Sequence, residues 1–556
     1  MTGLSEASRA AAHLLRAVWV RPWLGFAAVF AYALWQRWNM PWLPLATADT
    51  WGFLAPALCE LAGEGFPQTN GRSFAYPLFL LLVLRATESF SAIAVAQHVL
   101  GLLSGVVWIW VFSLWVAWLP PAVRQRPWVW WLGAFALGQF LLGARTVVFE
   151  TLLRPESIFP FPAFIQLGCT LAFIRTRWTP ARSTWVVVAG ATAVLGGVLC
   201  SSLKPSWGFA ALIPPLVLLA GIVASGKPTK RLVSLVALVF GVGLVSFWQR
   251  GIPYATGWIA DNQAKTFLPA TLFTVHAGLV SQAMHEKSAL GLLNADEIDF
   301  LKNLDRRLSE SRDVVPRVYN LLPHDPDYLM YRSDALAELP VGANATTELR
   351  TEYLWSAYFE AWKTQPAGMM NKVWRQLIHA FSDAHQTLYR PAVPWRRNFE
   401  SARTLMAQYR PPALTPELAA DWDKLADKCS ALAYTEPERR RFAPDFPVWF
   451  HGFVLVVVLA LLVVLGLLVF QAGRWIFPSQ GDLLPSARVF GVIVVTHLGT
   501  VLTVALVHSF DIGRYMALLS PSQSLILATG SVLVAALLSA AYCDRSVRNT
   551  NYCAEV

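Results

Sequence analysis

The first polar stretch of the chain places a carboxylate, aromatic side chains and an arginine next to an apolar segment. Asp49 comes first, Trp51 and Phe53 follow it, and Arg72 precedes an apolar run that begins at Tyr76. A carboxylate that is partly desolvated at a membrane boundary binds a proton more readily, so Asp49 is a candidate general base. The alternative role is structural, because Asp is favoured at the N-cap of a helix and a short helix is expected to follow.

Basic side chains recur at the same ends of the apolar segments. Arg suits a phosphate group through its planar donor fork, and Lys does so as a compact charge. Such cations could hold a phosphate and offset negative charge as it develops. They could equally pair with nearby carboxylates or extend to the membrane surface. The cations concerned are Arg72, Arg145, Arg154, Lys204 and Arg514.

Acidic residues outside the largest hydrophilic region are sorted mainly to one side. Membrane insertion does not require this sorting, because acids contribute little to topology. A polar site on that face explains it, and avoidance of hydrocarbon is the alternative. The acids concerned are Asp49, Glu60, Glu64, Glu88, Glu150, Glu156 and Asp511.

The composition is that of a membrane protein. Of the 556 residues, 55% are hydrophobic and 14% are charged, whereas soluble domains have about 25% charged residues. The 25 tryptophans, among them Trp19, Trp23 and Trp115, fit belts at the membrane surfaces. Six scattered cysteines without a C-x-x-C pair indicate neither a disulfide framework nor a zinc site.

We expect an all-α membrane protein with about ten transmembrane helices, because many apolar runs approach the ~20 residues that a span needs. Lys and Arg gather at alternate ends of these runs, which places both termini in the cytoplasm. A cleaved signal peptide is the alternative for the first run, but Arg37 and two prolines separate its core from Ala46-Thr47-Ala48, so an uncleaved span is expected. The expected spans are 18–36, 91–119, 128–144, 158–174, 185–202, 207–225, 232–249, 446–470, 488–508 and 517–541.

Three regions follow from this pattern. Residues 1–250 form an N-terminal transmembrane module whose first outer loop, 37–90, carries short interfacial helices. Residues 251–445 form an outer, mostly helical domain with amphipathic stretches, and 446–556 form a C-terminal transmembrane module. The net charge of +10 does not indicate nucleic-acid binding, because the hydrophilic region is nearly neutral and the basic excess follows membrane topology.

Residues 49–80 resemble the first outer loop of the GT-C class of integral membrane glycosyltransferases. Bacterial members of that class tend to have an acid after the first span, an aromatic, an "A-x-x-L-A-x-G" helix, an arginine and then "Y-P-L-F-L". Many have paired acids in this loop, whereas Thr50 follows Asp49 here. The matching residues are Asp49, Trp51-Gly52-Phe53, Ala57 to Gly63, Arg72 and Tyr76-Pro77-Leu78-Phe79-Leu80.

Further parts of the resemblance follow in order along the chain. "ARTVVFETLLRPES" at 144–157 lies where the class has a polar outer turn. "LKPSWG" at 203–208 is similar to an "R-P-x-G" segment, with Lys204 in the place of arginine. "FDIGRYMALLSP" at 510–521 is similar to an "R-Y-x-x-P" segment near the last spans. The resemblance covers the membrane part, about two-thirds of the chain.

The resemblance implies a hexosyl- or pentosyltransferase that moves a sugar from a polyprenyl-phosphate donor to a hydroxyl on an envelope glycan, lipid or protein. The reaction would take place on the outer face of the bacterial cytoplasmic (inner) membrane. Asp49 would be the catalytic base, and Arg72, Lys204 and Arg514 would bind the donor phosphate. Candidates for binding sugar or acceptor are Trp51, Tyr76, Glu150, Glu156 and Tyr515. No cofactor is certain, and a divalent metal is an open alternative.

Structural roles are the alternative for several of these residues. Glu150 and Glu156 could each form a salt bridge with a neighbouring arginine, and Tyr76 could anchor at the membrane interface. His98 and His497 lie in apolar runs and are expected to be core residues. The alternative functions for the whole chain are a multi-pass transporter and a non-catalytic membrane assembly protein.

Overall fold

The computed structural model describes residues 21–40, 42, 44, 49–66, 73–178, 183–214, 216, 262–313, 321–342, 344–381, 414–431, 483–510 and 513–552. Throughout these residues the regular structure is helical. The all-α prediction is therefore confirmed for the described part of the chain.

The apolar part of the fold contains a first set of helices that pack around one large hydrophobic core. Several are joined by short polar turns, and a four-residue helix, Pro121–Arg124, precedes α5. The helices are α1 (Trp23–Trp38), α2 (Thr50–Leu61), α3 (Ala75–Thr87), α4 (Ser91–Val116), α5 (Pro127–Leu141), α6 (Ala144–Thr151), α7 (Pro160–Trp178) and α8 (Ser183–Leu203).

A second set of helices follows in the hydrophilic region, and the chain then returns to apolar helices. The set comprises α9 (Asn262–Val275), α10 (Ala277–Ala289), α11 (Ala295–Asp313), α12 (Thr347–Thr364), α13 (Pro366–Phe381) and α14 (Pro416–Ala431). The last two helices are α15 (Leu484–Val507) and α16 (Gly513–Tyr552).

Three helices of the described residues are long and apolar enough to cross a membrane: Ser91–Val116, Leu484–Val507 and Ala517–Ser539. They match three of the predicted spans. Shorter helices lie at the predicted spans 18–36, 128–144, 158–174 and 185–202. The predicted spans 232–249 and 446–470, and most of 207–225, lie outside the described residues. The number of ten therefore stays a prediction.

One further pair of helices meets the same criterion only when its members are taken together. Phe267–Val275 and Ala277–Ala289 meet at an angle of 76°. This bent pair lies within 251–445, the region predicted to be outside the membrane.

Aromatic stacking fills the centre of the apolar bundle. The ring of Phe112 stacks between those of Trp108 and Trp115, with centroids 5.3 and 6.1 Å away. The indole of Trp108 donates to Ser524 Oγ at 2.9 Å, and that of Trp115 donates to the Ser486 carbonyl at 3.1 Å. Trp115 is fully buried and so cannot contact the membrane surface. The prediction that it belongs to an interfacial belt is therefore wrong. Trp115 joins α4 to α15 instead.

The helices between 262 and 369 surround a separate hydrophobic core. α11 begins with a reciprocal cap: the Asn294 N–H donates to Glu297 Oε2, and the Glu297 N–H donates to Asn294 Oδ1, both at 2.9 Å. Two of the unpaired donors at the start of the helix are thereby satisfied. Burial of Phe273, Phe300 and Leu304 then holds α9 against α11.

α14 does not join this second core but packs against the apolar bundle. Leu418 and Trp422 belong to the large core. The ring of Trp422 meets Phe90 edge-on at 5.1 Å, and the Phe90 N–H donates to Asp421 Oδ2 at 2.6 Å. The end of the hydrophilic region is thus fixed to the start of α4.

Candidate functional site

Asp49 lies directly before α2, and its side chain forms an ion pair with Arg154. Asp49 occupies the N-cap position, yet its side chain makes no capping bond to the helix. The predicted capping bond is therefore not formed, and the Asp49 carboxylate binds Arg154 instead. The side chains stay partly open to solvent, 24% for Asp49 and 13% for Arg154.

Arg154 is presented by a tight turn that follows α6. The Arg154 N–H donates to the Leu152 carbonyl at 2.8 Å, and Ser157 Oγ donates to the Arg154 carbonyl at 2.6 Å. Pro155–Ser157 forms a single 3-10 turn, with Pro155 at its first position where no N–H is needed. This turn, residues 152–157, is called the acidic turn below because it also carries Glu156.

Glu156 on the acidic turn forms a second ion pair, with Lys204. Lys204 Nζ lies 2.6 Å from Glu156 Oε1. The Glu156 side chain is 1% exposed and that of Lys204 is 11% exposed. Lys204 lies where α8 ends, and the 3-10 turn Pro205–Trp207 follows it. Because the pair is closed to solvent, it fixes the end of α8 to the acidic turn.

A third charged group lies deeper among the helices. Glu150 accepts two hydrogen bonds from Arg37, at 2.7 Å from Nε and 2.5 Å from Nη2. His98 Nδ1 lies 2.8 Å from Glu150 Oε2. All three side chains are nearly inaccessible. A Cβ atom at Gly101 would lie 2.0 Å from Glu150 Oε1, so only glycine leaves room for the carboxylate.

Tyr76 and Gln97 connect this buried group to the acidic turn. The Tyr76 hydroxyl donates to Gln97 Oε1 at 2.8 Å. Gln97 Nε2 donates to the carbonyls of Glu150, at 2.6 Å, and Leu152, at 3.1 Å. The ring of Tyr76 meets that of Phe53 edge-on at 5.5 Å. Helix α4 therefore contacts the backbone that leads into the turn through Gln97, and α3 and α2 are joined to this contact through Tyr76 and Phe53.

The other predicted site residues are distributed differently. Trp51 is partly buried and packs against the large core. Tyr515 is partly buried near the end of α15, where its ring lies 4.9 Å from that of His508. Arg72 lies outside the described residues, and so do the side chains of Arg145 and Arg514. The structure thus brings together Asp49, Arg154, Glu156 and Lys204.

Sequence reasoning missed Arg37 and Gln97 as members of this constellation. In the sequence, Arg37 distinguishes an uncleaved first span from a cleaved signal peptide. Its position at the end of an apolar run was the available signal, because a charge at that depth requires a partner. Gln97 gave a weaker signal, since a single amide in a long apolar helix has many structural uses.

The arrangement offers one partly exposed ion pair, Asp49 with Arg154, on a turn that a second, closed ion pair holds. Asp49 can accept a proton, and Arg154 presents a donor fork that binds phosphate oxygens as well as carboxylates. The closed pair Glu156–Lys204 holds the turn that carries Arg154. Within the described residues, no group of three His, Cys, Asp or Glu side chains is arranged to hold a metal ion.

Comparisons of the chain with protein-family models, with curated proteins and with solved structures find no match. The functional interpretation therefore depends on the site itself and on the resemblance described from the sequence.

Proposed function

We propose that the protein is a glycosyltransferase of the GT-C type, which transfers a sugar from a polyprenyl phosphate to an acceptor hydroxyl. The observation that carries this proposal is the partly exposed pair of Asp49 and Arg154. The two residues come from two of the segments, 49–80 and 144–157, that carry the resemblance to the class. A carboxylate and a guanidinium that are both partly exposed are the groups that such a transfer requires.

Each residue has a defined part in the proposed reaction. Asp49 accepts the proton of the acceptor hydroxyl, and the resulting oxygen nucleophile bonds to the anomeric carbon of the sugar. The bond from that carbon to the phosphate oxygen breaks, and the polyprenyl phosphate leaves with the electron pair. Arg154 binds the phosphate and offsets its increasing charge, as preorganised donors do in other enzymes. Lys204 holds Glu156 and so keeps the acidic turn in place.

The wider setting of the reaction belongs to the same proposal. The chain has about ten spans, lies in the bacterial cytoplasmic membrane and keeps both termini in the cytoplasm. The acceptor is an envelope glycan, lipid or protein on the outer face. Arg72 and Arg514 supply further contacts to the donor phosphate, and Trp51 and Tyr515 contact sugar or acceptor. Tyr76, which was predicted to do the same, is 1% exposed and instead holds Gln97. Residues 251–445 lie outside.

The test is a reconstitution with defined donors. Purified protein in proteoliposomes is supplied with a panel of polyprenyl-phosphate-linked hexoses and pentoses and with an envelope extract as acceptor. Release of polyprenyl phosphate together with glycosylated acceptor is the expected result. A protein that binds none of the donors and consumes none of them would contradict the proposal.

A transporter is the second candidate, and one observation favours it. Arg37, Glu150 and His98 form a buried charged group among apolar helices, and ionisable groups in such positions often mark ion or proton pathways. The two functions differ in whether they need a sealed membrane. A transferase consumes its donor in detergent, whereas a transporter produces no product there and acts only across a sealed membrane.

A further inference from the structure

The outer helix α13 carries an exposed apolar stripe that no other described helix covers. Met370, Trp374 and Ile378 are spaced by four residues and are 57, 61 and 52% exposed. Residues at this spacing lie along one side of a helix. Large exposed apolar groups that are contiguous mark contact surfaces for protein or lipid. We call Met370, Trp374 and Ile378 the α13 stripe.

The opposite side of α13 is fixed to the C-terminal end of α15, one of the helices that can cross a membrane. Lys372 Nζ donates to the carbonyls of Ala505, at 2.6 Å, and His508, at 2.7 Å. Gln376 Nε2 donates to Ser509 Oγ at 3.0 Å, and its Oε1 accepts from the Phe510 N–H at 2.7 Å. These bonds lie at or beyond the last turn of α15.

Apolar contacts of α13 reach further along α15, away from its end. Val373 and Ala380 share a buried cluster with Val501, Val504 and Ala505. α13 therefore lies across the last two turns of a spanning helix. A helix in that position is at the depth of the membrane surface, because the hydrocarbon layer ends where the span ends.

The order of side chains around α13 shows on which side of the helix the stripe lies. Successive residues of an α-helix are rotated by about 100°. Viewed along the helix axis and starting from Lys372, the side chains follow in the order Gln376, Val373, Met370 and Trp374. The side chain of Trp374 thus lies roughly 160° around the helix from that of Lys372. Lys372 and Gln376 contact residues 505 and 508–510, and Val373 and Ala380 share a buried cluster with residues 501, 504, 505 and 510. The α13 stripe therefore lies on the side of α13 that faces away from its contacts with the end of α15.

We infer that α13 is an interfacial helix whose stripe of Met370, Trp374 and Ile378 enters the lipid layer beside α15. The occupant of this surface is membrane phospholipid. Trp374 has the amphipathic ring that is enriched at this depth. Arg375 is exposed next to it and is placed to meet lipid phosphates. Helix α15 is itself apolar and exposed at Val495, Leu498 and Leu502, as a helix in contact with lipid would be.

The lipid contact has a structural consequence that does not depend on sugar transfer. Lys372 and Gln376 fix one side of α13 to the end of α15, and the stripe fixes the other side to the bilayer. The domain that contains the core of residues 270–369 is thereby held at a defined height above the membrane.

Photo-crosslinking in the full-length protein tests this inference. Trp374 and Ile378 are each replaced by p-benzoylphenylalanine, and the variants are reconstituted in vesicles of phosphatidylethanolamine and phosphatidylglycerol. Leu502 on α15 is the positive control. Leu290, which is 72% exposed at the end of α10, is the matched control for an exposed apolar residue elsewhere. Adducts are identified by mass spectrometry, and folding is checked by gel filtration.

Lipid adducts at 374 and 378, several-fold above the yield at 290 and comparable with that at 502, are the expected result. Adducts of 374 and 378 with peptides of this chain or of a second copy, in place of lipid, would overturn the inference. Equal lipid yields at 290 and 374 would overturn it as well, because the stripe would then not be distinguished from the rest of the domain. Absence of lipid adducts at 502 would show that this part of α15 does not contact lipid, and that result would also overturn the inference.

Discussion

Asp49 and Arg154 are 105 positions apart in the sequence, yet their side chains form an ion pair at the start of α2. The pair joins the first polar loop to the acidic turn between α6 and α7. It remains partly exposed, whereas the neighbouring pair of Glu156 and Lys204 is closed. The proposed function gives the two pairs different roles: the first exchanges its partner for a ligand, and the second holds the turn.

The proposed role of Asp49 as general base predicts a specific effect of Asp49→Asn. The variant keeps the size of the side chain but removes the proton acceptor, and general bases contribute about 10²–10⁴-fold to rate. We expect a loss of sugar transfer in that range with unchanged yield and membrane insertion, measured in proteoliposomes with the active donor. Glu64→Gln is the matched control, because Glu64 is an exposed acid of the same loop, and it should retain activity. Full transfer by Asp49→Asn would exclude the residue as base.

Arg154→Gln should affect donor use rather than acceptor use. Loss of the guanidinium removes the charge-assisted bonds to the phosphate, so KM for the donor rises while KM for the acceptor changes little. Donor titrations at saturating acceptor measure this difference. The double variant Asp49→Asn/Arg154→Gln distinguishes a role of the pair in donor binding from a purely structural role. If the pair were structural only, the two single variants would lose stability and the double variant would regain part of it.

The buried group around Glu150 predicts a large loss of stability. Glu150→Gln leaves the Arg37 charge buried without a carboxylate, and breaking a buried pair in this way costs about 3–5 kcal/mol. A clearly lower apparent melting temperature of the purified protein is expected. The matched control is Glu60→Gln, because Glu60 pairs with Arg85 at 3.2 Å in an exposed position, where pairs contribute about 0–1 kcal/mol. Similar shifts for both variants would contradict the burial argument.

The junction of α13 with α15 predicts a pH dependence. Burial lowers the pKa of Lys372 from 10.5 to about 7. Between about pH 7 and 10.5 the unfolded chain therefore binds more protons at this residue than the folded chain does, and stability rises with pH over that window. His276 does not contribute there, because its pKa, lowered mainly by burial and also by Lys372, is well below 6.5.

The variant Lys372→Met tests whether Lys372 causes stability to rise with pH. The variant retains the length of the side chain but loses both bonds to the end of α15, so it should be less stable at pH 9. The increase in melting temperature from pH 7 to 10 should also be smaller than in the unmodified protein. Thermal scans in one detergent at fixed ionic strength provide the comparison. An unchanged pH slope in Lys372→Met would assign the dependence to other groups.

Topology can be tested with two exposed positions in described segments. Lys302 lies on α11, with its side chain 72% exposed, and Gln125 is exposed in the turn before α5. Lys302→Cys should react with an impermeant thiol reagent in intact cells, and Gln125→Cys should react only after the cells are opened. Labelling of both from the same side would contradict the predicted topology, including the outer position of 251–445.

Much of the helical architecture can be read from the sequence for a simple physical reason. Apolar runs such as those at 91–116, 484–507 and 517–539 favour helix because a helix pairs its backbone groups within one segment, which hydrocarbon requires of a single apolar run. The polar site could be anticipated in part, since Asp49, Glu156 and Lys204 are costly beside lipid unless they have partners or a function. The residue types of these side chains and their positions along the chain were sufficient to predict that they need partners.

The choice of partners was decided only by the tertiary structure. Arg154 could have paired with Glu150 or Glu156, which are closer in sequence, but the acidic turn directs it to Asp49. Glu150 lies on the side of α6 that faces Arg37 and His98, where Gly101 leaves space for it. The sequence determines which charges need partners, because desolvation depends on residue type and depth. Which charges meet depends on helix rotation and packing, which no local pattern contains.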